Sequence, residues 1–171
     1  MKHFFTLTLF LIGAALKTSA QHQEQIKTTA EIIAKATINS DFKTVVRYTY
    51  PKVLKMMGGE KKMIETMDKG LAQMKSQGTA VIGATIGIPG KTFDTGGEQY
   101  AVVPEKIVMQ SNGVKFFTNS SLLAISLDKG KNWYFIDAGN ISQQNLKILF
   151  PNFPKGLVIP KQTKPEVIGN L

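Results

Sequence analysis

The stretch DFKTVVRYTYPKVLKMMGG, Asp41 to Gly59, decides the fold. Ser40 or Asp41 can cap a helix carrying Phe42, Val45 and Val46 on its apolar side. Thr49 and Tyr50 end that helix, because a residue before proline is pushed out of the helical region. Pro51 suits the first position of a new helical turn, and Gly58-Gly59 stops it. Two short helices meeting at a tyrosine-bracketed proline are thus predicted.

Outward from this stretch the two halves of the chain differ in period. Upstream, Glu24 to Asn39 predicts a helix, with Ile26, Ala30, Ile33, Ala34 and Thr37 at spacings of three and four. Downstream, Glu60 to Lys75 predicts an amphipathic helix with Met63, Met67, Leu71 and Met74 on one stripe. Glu65 and Lys69 stand four apart on its polar side. From Thr79 the pattern turns to strands. Thr79 to Ile88 places Ile82, Ala84, Ile86 and Ile88 on one face. Gln99 to Gln110 contains Pro104, which argues for an edge or a bulge. Asn112-Gly113 signals a hairpin into Val114 to Leu127, and Asp128-Lys129-Gly130 a second turn into Asn132 to Ala138. Turns this short imply an antiparallel meander. Ser142 to Phe150 has room for one or two closing helical turns. Pro151 to Leu171 holds four of the seven prolines and reads as an extended strap over the domain.

The first twenty residues read as an export signal. Lys2 is the positive start, Phe4 to Leu16 a short apolar run, and Thr18-Ser19-Ala20 a small-residue cleavage site. The run is short of the roughly 20 residues of a membrane span. The expected mature chain is secreted or periplasmic, with one α+β domain over residues 21–150 and a packed tail over 151–171. No cysteine occurs in the sequence. Disulfides, thiol catalysis and thiolate metal sites are therefore excluded, and no lipid-anchored cysteine follows the cleavage site.

The formal charge is +9. It is carried by scattered lysines, with Arg47 the only arginine, so bidentate phosphate or base recognition is poorly served and no nucleic-acid partner is expected. His3 would leave with the signal and His22 would stand second in the mature chain. The reading therefore expects a folded domain without histidine, and no Ser-His-Asp triad or histidine metal cluster.

Helices followed by an antiparallel sheet are the first part of a likeness. The second part is Asp41-Phe42, Tyr50-Pro51, Met57-Gly58-Gly59 and the closing Gly130-Lys131-Asn132-Trp133-Tyr134-Phe135-Ile136-Asp137. Over roughly Gln25 to Ala138 the chain resembles the NTF2-like (cystatin-like) superfamily. The resemblance implies a cone in which a curved sheet of about four or more strands wraps a long helix and leaves a cavity at its wide end. It implies no single activity, since enzymes and binding modules share this fold. One departure is that the hairpin often found after the early helices is replaced by Tyr50 to Gly59.

Residues for a site follow from that outline. Tyr48, Tyr50, Met57, Phe117, Trp133 and Tyr134 are the candidate ligand contacts. Five methionines, Met56, Met57, Met63, Met67 and Met74, crowd one segment. They suit an adaptable hydrophobic wall or a thioether copper site, but helical spacing favours core packing. Asp137 shares a strand face with Trp133 and Phe135. It is a candidate acid or base with a tyrosine donor, or simply the residue that caps the turn at Ala138-Gly139. Glu105, beside Pro104, reads as an edge charge. No cofactor and no metal is expected. The expected function is non-catalytic binding of a small hydrophobic or peptide ligand or a protein partner. The alternatives are an isomerase- or dehydratase-like enzyme using Asp137, and a homodimerising structural module.

Overall fold

A computed structural model describes the backbone of residues 5–169 and the side chains of residues 20–169. The export signal expected over residues 1–20 lies, but for Ala20, outside those side chains. Four helices open the described chain: α1 (Phe5–Ile38), α2 (Phe42–Arg47), α3 (Pro51–Met56) and α4 (Glu60–Ser76). Six strands and one further helix follow: β1 (Thr79–Ile86), β2 (Phe93–Thr95), β3 (Glu98–Ser111), β4 (Val114–Ser126), β5 (Tyr134–Asp137), α5 (Gln143–Leu149) and β6 (Glu166–Val167). The class is α+β. N-terminal helices pack on a curled antiparallel sheet that forms a half-barrel, ordered β1-β3-β4-β5, with β2 beside β3 and β6 beside β4. Among the described residues no helix is long and apolar enough to cross a membrane.

Local chemistry places the helix boundaries. Asp41 caps α2, its carboxylate accepting from the Thr44 amide at 3.2 Å and from the Thr44 hydroxyl at 2.6 Å. Pro51 opens α3. Gly58 and Gly59 follow with φ of 86° and 94°, values that glycine adopts at little cost. Between α2 and α3 the extended backbone pairs with the short strand β5. Thr49 forms a parallel bridge to Phe135. The Tyr50 amide donates to the Phe135 carbonyl at 3.1 Å, and the Phe135 amide donates to the Tyr48 carbonyl at 2.7 Å.

Both faces of the sheet are covered. Ala101, Val103, Leu122, Ala124, Trp133 and Phe135 meet Ile26, Ala30 and Ala34 of α1 on one face. Tyr100, Leu123 and Ile125 meet Leu146, Leu149 and Phe150 of the α5 region on the other, and Phe153, Leu157 and Ile159 of the tail pack around them. Lys52 joins α3 to α5 by donating to the Ile148 and Leu149 carbonyls at 2.7 and 2.8 Å, where a helix end leaves carbonyls unpaired. The tail is an extended strap, as its prolines foretold. Along the edge of β4, strand β5 covers only Leu122 to Ile125. The rest of that edge is covered by the strap: Thr163 donates to the Asn119 carbonyl at 2.9 Å, and β6 pairs with Phe116 and Phe117.

Several expectations need correction. Pro104 sits in β3, an interior strand rather than an edge. Its carbonyl accepts from Gly87, just past the end of β1, so its missing N–H falls where that ladder has run out. A register shift between Val81 and Gly83 breaks the alternation expected in β1. Ile82 is exposed as a result, while Val81, Ala84 and Ile86 turn inward; Ile88 is exposed because it lies past the end of β1. Glu65 pairs with Lys62 at 3.7 Å rather than with Lys69. His22 belongs to the folded domain, its ring edge-on to Trp133 with centroids 6.0 Å apart.

Candidate functional site

A cavity of about 690 Å³ opens between the helices and the inner face of the sheet. That size falls within the usual range for small-molecule sites. It arises because α1 packs tightly only along the narrow end of the sheet, where Ala30 and Ala34 let the backbones approach. Toward the wide end α4 contributes no buried residue and stands off as a wall.

The wall is apolar. Ile33 and Ala34 come from α1, Met56 and Met57 from the end of α3, and Met63 and Met67 from α4. The sheet supplies Val81 and Ala84 across the bulge in β1, then Ile107, Leu122 and Phe135. The methionine crowd is therefore mainly cavity wall. The expectation of core packing fails because α4 leans on α2 and β1 instead of lying flat across the sheet.

Polarity rises along the inner face in register rows. Ala101, Ala124 and Phe135 form one row, and Val103, Leu122 and Asp137 the next. Glu105 and Ser120 are paired two positions further along β3 and β4. Two carboxylates thus stand near each other at the wide end. Asp137 is exposed at the rim. Its Oδ1 accepts from the Ser120 hydroxyl at 3.2 Å and from the Gly139 amide at 3.1 Å. The turn-capping role is real, and it fixes the carboxylate. Gly139 is required there, because a Cβ would collide with Ser120 Oγ.

Glu105 differs. It is half-buried in the cavity lining, and its carboxylate makes no hydrogen bond or ion pair to any described residue. Burial first, and repulsion from Asp137 second, push its carboxyl up to about 7. The edge-charge reading of Glu105 is overturned, since β3 is interior. The signal that finds it is its alternation with Val103 and Ile107: a carboxylate two residues from an apolar neighbour on either side shares their inward face.

The other candidate residues divide. Tyr48 and Met57 line the cavity together with Asp137. Tyr50 crosses to the opposite face, where its hydroxyl donates to Glu98 at 3.3 Å. Trp133 is 3% exposed, inside the core beneath α1, with its indole nitrogen unpartnered. Tyr134 packs on the α5 side. Phe117 lies under the Lys106 ammonium, 3.8 Å from its ring centroid, beside the strap. Arg47 is exposed and outside the cavity lining. Among the described residues no group of three or more His, Cys, Asp or Glu is placed to hold a metal. Compared with known proteins, the chain matches no family model, no curated protein and no solved structure.

Proposed function

We propose that this protein binds a small hydrophobic molecule in the cavity under α4, and that binding rather than turnover is its task. One observation carries the reading: an apolar space of about 690 Å³ walled by four methionines, side chains that adapt to varied ligand shapes. The proposal includes membership of the NTF2-like superfamily, supported by the helices laid on a curled sheet with its cavity at the wide end. It also includes action outside the cytoplasm, supported by the apolar run and small-residue site that open the sequence.

The test is equilibrium binding of a neutral solvatochromic dye such as Nile red. Ala84→Phe and Met67→Trp, which fill the cavity from opposite walls, should each weaken binding at least tenfold with circular dichroism unchanged. Equal binding by all three proteins would overturn the reading.

A second reading, proton transfer to or from a bound substrate, is favoured by one specific observation. Glu105 has its carboxyl near 7 inside the cavity, the range that acid–base catalysis at neutral pH requires. The role expected for Asp137 passes to Glu105 in this reading, because Asp137 is exposed and already engaged by Ser120 and Gly139. Loss of substrate turnover in Glu105→Gln, with binding retained, would establish it over the first.

A further inference from the structure

We infer that the cavity selects a cationic amphiphile, an apolar body bearing a protonated primary amine that seats against Glu105 and faces Asp137. The inference rests on the binding reading above and names the ligand's chemistry. Its ground is the distribution of charge inside the site. Among the described residues that line the cavity, Glu105 and Asp137 are the charged ones, and no lysine, arginine or histidine joins them. This is so in a chain whose formal charge is +9. Two of the twelve acidic residues line the cavity, and none of the described basic ones does.

Each acid is poised differently. Asp137 Oδ1 is occupied by Ser120 and Gly139, which hold the carboxylate still. Glu105 is half-buried and its carboxylate has no donor of its own among the described residues. An ammonium group supplies three donors and a positive charge. It would satisfy Glu105 and turn the repulsion between the two carboxylates into attraction for a shared partner. A carboxylate ligand would meet two like charges instead. A neutral alcohol could bond one acid but would not neutralise either.

The remaining groups around Glu105 do not change this balance. Helix α1 presents Ile33, Ala34 and Thr37 to the cavity, and Tyr48 is the phenol in its wall. Glu31 and Lys35 of α1 face β1 in an adjoining groove, with Glu31 paired to Lys27 at 3.4 Å. Lys106, next along β3, points to the opposite face over Phe117.

A pH signature follows. Bound ammonium favours ionised Glu105, so binding releases a proton wherever free Glu105 still holds one. Amine affinity should rise from pH 5.5 to pH 8 and level off above, since alkylamines stay protonated throughout.

The experiment is displacement of Nile red from the full chain by octylamine, octanol and octanoate, which share one apolar tail. Octylamine is expected to displace the dye at a concentration at least tenfold below that for octanol at pH 8, with octanoate weakest. Glu105→Gln should shrink the amine-over-alcohol preference to less than threefold and remove its pH dependence. Asp137→Asn should reduce the preference in part. The overall positive charge of the protein works against this ranking, so surface attraction cannot produce it. Octanoate matching octylamine, or a preference indifferent to Glu105→Gln, would overturn the inference. Dye binding in the cavity with octanol equal to octylamine would overturn it and leave the hydrophobic-ligand reading standing. Failure of the dye and all three amphiphiles to bind would sink both.

Discussion

Two glutamates on the same strand meet opposite fates. Glu98 and Glu105 both belong to β3 and both are half-buried. Seven positions apart, they point to opposite faces of the sheet. Glu98 lies on the filled side. It accepts from the Tyr50 hydroxyl at 3.3 Å and from the Tyr100 hydroxyl, and Phe150 and Phe153 close in around those rings. Its protons come from residues fixed in the core, and they stay: the Tyr50 phenol is held up to about 12 and that of Tyr100 is raised as well, by burial first and by Glu98 after it. Glu105 lies on the hollow side with no such donors among the described residues. One carboxylate is therefore part of the architecture, and the other faces the cavity without a donor among the described residues.

The difference can be broken from the filled side first. Phe150→Ala removes a ring that is 1% exposed and touches Tyr50, Tyr100 and Phe153. It should cost about 3–5 kcal/mol in urea denaturation. A loss below about 1 kcal/mol would show that this face is not a packed core. Glu98→Gln keeps the shape but weakens two hydrogen bonds to a charged acceptor. It should cost about 1–3 kcal/mol at pH 7 and lower the pH at which the Tyr50 phenol ionises in ultraviolet titration. No change in that titration would deny the tie between the phenol and the carboxylate.

The hollow side should answer with the opposite sign. Burial lifts Glu105 from 4.5 to about 7, so between those values the folded chain holds a proton that the unfolded chain has released. The contribution of this group is complete below pH 4.5 and is lost as pH climbs through 7. After allowance for solvent at the cavity mouth, the loss should be about 1–2 kcal/mol. Glu105→Gln should therefore be the more stable protein at pH 8 by about that amount, and match the wild type at pH 4. Equal stability at both pH values would mean that Glu105 is well solvated. The smallest effect belongs to Met67→Ala, on the standing wall, at less than about 1 kcal/mol. A value near that of Phe150→Ala would show α4 to be core after all.

Much of this plan can be read from the chain. Helix breaks at Asn39-Ser40 and Gly58-Gly59, the Asn112-Gly113 hairpin and the strap of prolines all rest on local backbone chemistry, and each appears where its residues stand. What escaped depended on neighbours distant in sequence. Pro104 by itself signals an edge or a bulge, because nothing local shows that β1 ends opposite it, and an edge placement misplaces Glu105 as well. A one-residue bulge at Ile82 inverted half of β1, and no residue pattern announces such a slip. Residue type and spacing point the Trp133 indole to a ligand and the Met63 thioether to the core. The fold did the reverse, because α1 seals the narrow end and α4 leaves the wide end open. The cavity is a product of helix placement, and helix placement is not written in any one helix.

The bridge between Thr49 and Phe135 has a consequence for the order of events in folding. It joins positions about half the chain apart, and the strap closes still later on β4. Such distant pairings carry the entropy of long loops and slow the search for the native state. The sheet side of the methionine-lined cavity, with Leu122 and Phe135, is complete only once the closing third of the polypeptide is present. A growing chain would therefore hold its methionine-rich surface bare for a time, a stage at which a holding chaperone would find the most to grip.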